Sequence, residues 1–105
     1  MAEYPAGFRR RPPSHPGDVI ADTLSTLRVS SRHAALAMKV SPMALNNITS
    51  HKTGVTPQMA LRLGRLFGNG PEIWLRMQQD YDLWHANSAM KAELEGIKPL
   101  AADAA

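Results

Sequence analysis

The chain has 105 residues and a mass of 11.5 kDa, room for one domain and too little core for an elaborate active site. Hydrophobic residues make up 44% of it and two tryptophans are present, which supports a packed core and argues against wholesale disorder. There is no cysteine, so a disulfide framework and thiolate metal sites are excluded.

No apolar run approaches the roughly 18 residues of a membrane span. Arg9-Arg10-Arg11 leads into Pro12-Pro13 instead of a secretory signal, so a cytoplasmic protein without a membrane partner is expected. The net charge of +3 is divided unevenly: residues 1–65 hold nine Lys/Arg against three Asp/Glu, and residues 66–105 hold three against six. The first part suits phosphate, the second a basic partner or solvent.

Residues 1–14, with their prolines and three consecutive arginines, read as a flexible basic arm, and residues 95–105, rich in alanine, as a loose tail. Between them, over 15–94, the spacing is helical throughout. A first helix opens at His15-Pro16-Gly17-Asp18 and runs to about Leu27, with Ile20, Leu24 and Leu27 on one face. Ser30 caps a second, two-turn helix from Ser31 to Met38 that presents Ala34, Ala35 and Met38 inward. Ser41-Pro42 starts a third that reaches about Ser50, with Leu45 and Ile48 inward. The fourth opens at Thr56-Pro57, carries Ala60, Leu63 and Phe67 on one face, and stops at Gly68. Gly70-Pro71 begins a long fifth helix over about 71–93, striped by Ile73, Met77, Tyr81 and Trp84.

Two short helices joined only by Lys39-Val40-Ser41 have the spacing of a helix-turn-helix, whose second helix enters the DNA major groove. Ala35 allows a close crossing, and Val40, Leu45 and Ile48 fill the space beneath. The outer face then carries Pro42, Met43, Ala44, Asn46, Asn47 and Ser50. An asparagine amide matches the adenine edge in two hydrogen bonds, and Met or Ala side chains touch thymine methyls. Ser31, Arg32, Ser41, Ser50, His51 and Lys52 fall where phosphates pass. The same spacing occurs in all-α proteins that touch no DNA, so a helical protein-interaction adaptor remains an alternative.

The run from Ser30 to Phe67 resembles an Xre/Cro-type, lambda-repressor-like helix-turn-helix domain of five helices. His15-Pro16-Gly17-Asp18, the run Thr56 to Leu63, Trp74-Leu75-Arg76-Met77-Gln78 and Tyr81-Asp82-Leu83-Trp84 together resemble the HigA-type (VapI-like) antitoxins. The resemblance implies an all-α homodimer that represses its own operon at a palindromic operator in double-stranded DNA. It further implies an antitoxin that neutralises a HigB/RelE-like mRNA endoribonuclease. Recognition positions carried over are Met43, Ala44, Asn46 and Asn47, with Ser41, Ser50 and Lys52 toward the backbone. A solitary regulator without a toxin is the other reading of the same fold. Where many relatives of this fold have glycine in the turn, this chain has Lys39.

No enzyme, cofactor or metal is expected. His15, His33, His51 and His85 lack metal-ligand spacing and read as surface residues. Asp80 and Asp82 point to different sides of a helix, and Ser14-His15 has no third partner. The fifth-helix stripe Ile73, Met77, Tyr81 and Trp84 is expected to meet a second copy of itself.

Overall fold

The computed structural model describes residues 11–101, and among them places six helices and no strand. These are α1 (Pro16–Leu27), α2 (Ser31–Ala37), α3 (Pro42–Thr49), α4 (Pro57–Phe67), α5 (Pro71–Ala89) and α6 (Lys91–Glu95). The starts follow local chemistry. Proline occupies the first turn of α1, α3, α4 and α5, where its missing N–H costs nothing. Side chains of Ser30, Ser41 and Thr56 accept the N–H of His33, Ala44 and Met59 at 3.0, 3.1 and 3.2 Å.

The ends use a shared device. After α1, α2 and α3 the chain turns through a left-handed residue: Arg28 at φ 58°, Lys39 at φ 62° and His51 at φ 66°. In each case the following N–H reaches back five residues, from Val29 to Leu24, Val40 to Ala35 and Lys52 to Asn47, which satisfies the last carbonyls of the helix. α4 ends on a glycine in the same left-handed region, Gly68 at φ 74°, whereas Gly96 after α6 has φ −81°.

The core is assembled from Ile20, Leu24, Ala34, Ala35, Met38, Leu45, Ile48, Val55, Ala60, Leu63 and Trp74. Ala34 and Ala35 let α2 lie close to α1 and α3, while α4 and α5 form the most extensive helix pair. Two tethers cross the body. Arg62 Nη1 donates to the Met38 carbonyl at 2.9 Å, and the Val55 N–H donates to Gln78 Oε1 at 2.8 Å, joining α5 to the loop between α3 and α4. Trp74 is buried with its indole N–H on Asn69 Oδ1 at 3.0 Å, so this tryptophan closes the monomer core.

Three expectations change. Leu27 is 57% exposed, because the chain has already begun its left-handed turn and Val29 packs against the core instead. The fifth helix stops at Ala89, short of 93, and a sixth, one-turn helix follows Met90. Asn87 and Ser88 are weak helix formers, and every described residue from Ser88 onward is exposed, so no burial holds a continuous helix there. At the other end Pro13 is buried, two residues ahead of the boundary read from sequence. Arg9 and Arg10 of the basic arm lie outside the described residues, as do residues 102–105 of the tail.

At Gly17 the first turn of α1 abuts the last turn of α3: a β-carbon there would overlap the Ile48 carbonyl and crowd Thr49 Cα. Both obstacles are backbone, so neither yields by changing rotamer. Gly17→Ala is therefore expected to destabilise the fold by about 1–3 kcal/mol, read as a lower urea midpoint at unchanged slope.

Candidate nucleic-acid interface

The outer face of α3 carries the side chains expected there. Met43 is 71% exposed, Asn46 and Ser50 are exposed, and Ala44 and Asn47 are half-buried beside Leu45 and Ile48, which point inward. From the start of α2, Ser31 Oγ donates to Asn46 Oδ1 at 3.3 Å, so the two helices of the motif are linked across their outer surface and the amide is restrained. Ser41 is committed to capping α3, and Ser50 Oγ to the Asn47 carbonyl at 3.4 Å. Arg32 and Lys52 are exposed at either end of the surface.

Charge sharpens the picture. Residues 23–71 contain six Lys/Arg and no Asp or Glu. A helix-turn-helix free of carboxylates carries no like-charge repulsion against a phosphate backbone. The division of charge between chain halves pointed the same way more coarsely.

Lys39 takes the left-handed conformation that its place in the turn demands. Such a backbone costs an L-residue about 1–2 kcal/mol. A cation just beyond the C-terminus of α2 is favoured by the helix dipole, an offset of about 0.3–1 kcal/mol that also applies to Arg28.

His51 is exposed, as expected of a surface residue, and its ring is also engaged within the fold. Its Nε2 lies 2.7 Å from Asp18 Oδ1 of α1, and its ring stacks on His15 with centroids 4.2 Å apart and planes at 18°. His15 was expected on the surface and is instead 3% exposed. Its Nδ1 accepts the Gly17 N–H at 2.8 Å and so caps α1, a task that histidine-to-metal spacing rules do not register. Tyr81 of α5 meets His15 edge-on at 4.8 Å and lies against His85 at 4.3 Å. Burial and the neighbouring His51 lower the His15 pKa below its ordinary 6.5, against the opposing pull of Asp18 and Asp82. Among the described residues no group of three His, Cys, Asp or Glu side chains is arranged to hold a metal.

The fifth-helix stripe is divided between two surroundings, Ile73 and Met77 at a groove and Tyr81 against the histidines. Ile73 is 46% exposed and Met77, Tyr81 and Trp84 are half-buried. Ile73 and Met77 line an open apolar groove of about 470 Å³ with Val19, Leu27, Leu66 and Phe67. No helix among the described residues is long and apolar enough to cross a membrane.

No protein-family model matches the chain. It is 39% identical to virulence-associated protein I of Dichelobacter nodosus, over 95% of this chain and 93% of that one. It is 30% identical to antitoxin HigA-1 of Vibrio cholerae, over 88% and 87% of the two chains. Among solved structures, the antitoxin HigA of Pseudomonas aeruginosa with the higBA promoter superposes with a TM-score of 0.80 at 35% identity, covering 85% of this chain and 99% of that one. The chain belongs to the HigA family of helix-turn-helix antitoxins. As a HigA-family protein it stands among antitoxins and transcription regulators, outside the enzymes.

The turn can be tested within this HigA-family chain. Lys39→Gly removes the left-handed penalty but loosens the unfolded chain and gives up the cation at the helix end, so the opposing amounts nearly cancel and a net change under about 0.5 kcal/mol is expected in urea denaturation.

Proposed function

We propose that this protein is the antitoxin of a type II toxin–antitoxin module, acting in the cytoplasm as an autorepressor. Its homodimer sets two α3 helices in successive major grooves of a palindromic operator, about 34 Å or one helical turn apart. The observation that carries this reading is the capped α3, with Met43 and Asn46 presented outward in a segment free of carboxylates. The Pseudomonas relative, solved with its promoter, supports it.

In this reading Asn46 and Asn47 read base edges, and Met43 and Ala44 contact thymine methyls. Ser31, Arg32, Ser41, Ser50 and Lys52 approach phosphates, the hydroxyls that already donate or accept within the fold doing so through their remaining hydrogen-bonding capacity. His51, whose ring is held by Asp18 and His15, is left out of that set. The partner protein is a HigB/RelE-like mRNA endoribonuclease. The exposed carboxylates Glu72, Asp80, Asp82, Glu93 and Glu95 of α5 and α6 suit a basic toxin.

The dimer is assigned to Ile73, Met77, Tyr81 and Trp84 together with the groove beside them. Leu27, displaced from the core, and Ile73 both bring exposed apolar surface to this groove. A two-fold contact there covers both with one patch from each copy.

Replacing Asn46 and Asn47 by Ala is expected to weaken operator binding by about 1–3 kcal/mol for each base edge no longer read, while leaving random duplex nearly unaffected. Fluorescence anisotropy on both DNAs measures this, and equal weakening on the two would remove these residues from base readout. Ile73→Asp places a charge on an already exposed site, so the variant should fold, sediment as a monomer and lose the linkage between half-sites. A folded variant that keeps the wild-type sedimentation coefficient rules out the groove as the dimer contact.

A further inference from the structure

The buried His15 and the groups around it are given no base or phosphate contact in the reading above, and they lie where three elements meet. His15 and Asp18 come from the start of α1, His51 follows the last turn of α3, and Tyr81, Asp82 and His85 come from α5. Each link depends on where protons sit. The His15 Nδ1 that accepts the Gly17 N–H is unprotonated, so the proton of the neutral ring is on Nε2. A second proton on that ring would turn the cap acceptor into a donor facing another donor. It would also put a positive charge in a buried site, 4.2 Å from the second imidazole of the stack.

The consequences fall on α3. Gly17, held by the His15 ring, touches the Ile48 carbonyl, and the His51 N–H donates to that same carbonyl at 3.0 Å. The C-terminal end of the helix is thus seated on the first turn of α1 through backbone contact and through the ring stack. The Asp18–His51 hydrogen bond closes the loop between the two elements.

We propose that the His15–His51 stack is a proton-sensitive latch that positions the recognition helix, closed while His15 is neutral and released when His15 is protonated. The latch rests on the assignment of α3 as the operator-reading helix. His15, His51, Asp18 and Tyr81 are positioning residues in this account, acting on DNA through the seating of α3. The sign of the effect follows from linkage. With the folded-state pKa of His15 below 6.5, the neutral ring's contribution is complete above about pH 6.5 and is lost as the pH falls through the folded value.

This sign separates the latch from ordinary charge effects. A basic protein gains affinity for DNA in acid as its net positive charge grows. The latch instead lowers operator affinity in acid, by at most about tenfold per pH unit for one linked proton. Binding to random duplex should strengthen over the same interval.

The experiment is operator and random-duplex anisotropy from pH 8 to 5 at constant salt, with nuclear magnetic resonance titration of the histidine rings and the backbone amides in the DNA-free protein. In the wild type, operator affinity is expected to fall with acid, and amides 49–52 are expected to shift with the midpoint of His15. His15→Asn keeps a capping acceptor that does not titrate and should lose the acid-dependent fall. His51→Gln keeps a donor toward Asp18 but removes the stacked imidazole, so the His15 midpoint should move to higher pH, a readout that serves even if His15→Asn does not fold. The latch is overturned if wild-type operator affinity is flat or rises in acid, or if His15→Asn falls as the wild type does. Absence of any preference for operator at pH 7.5 would instead defeat the DNA reading. The amide titration in free protein then decides the latch alone: amides 49–52 that ignore the His15 midpoint would refute it.

Discussion

At Gly17 the first turn of α1 passes so close to the Ile48 carbonyl that no side chain fits between them, and the orientation of α3 depends on this contact. Helix ends are electrostatically opposite, and here the positive N-terminal end of one helix lies against the negative C-terminal end of another. His15 caps the first, His51 terminates the second, and their rings stack across the join. The outer face of α3 is thereby presented by a rigid support. The same support places a titratable ring inside the fold, so the positioning of the helix and the protonation of His15 are bound together.

The turns around α2 and α3 show how strain and charge are combined. Arg28, Lys39 and His51 adopt the left-handed geometry that glycine would take most readily. Arg28 and Lys39 bring positive charge to the end of a helix whose carbonyls point toward it. The residual strain is local, and the satisfied carbonyls behind each turn limit its cost. Glycine, by contrast, is kept where a side chain has no space, at Gly17 and Gly64, where the chain backbone approaches within 3 Å of a would-be β-carbon.

Two roles are divided along α5. Trp74 on its first turns closes the core, and Gln78 holds the loop that follows α3. Tyr81 reaches back to the histidine stack, while Ile73 faces the open groove. The α5 carboxylates Glu72, Asp80 and Asp82 are exposed, and from Ser88 onward every described residue is exposed, so the helix ends without a continuous apolar partner. Basic residues around α2 and α3 and exposed acidic residues on α5 and α6 therefore sit on different elements of one small domain.

The start of every helix from α1 to α5 was legible in the chain's local chemistry, because Ser, Thr and Pro act on the N–H groups within one turn of themselves. So were the inward faces of α2 and α3, and hence the side chains of α3 that look outward, because helical periodicity is a property of neighbours three and four residues apart. The left-handed Lys39 was legible as a departure from glycine at a turn. What lies between distant residues was settled by tertiary packing alone. His15 and His51 are 36 positions apart, and nothing local distinguishes a buried capping imidazole from an exposed one. Leu27 and Val29 compete for one inward place, and the turn at Arg28 gives it to Val29. The end of α5 was likewise set by what it packs on, since a helix persists where burial holds it and frays where burial stops.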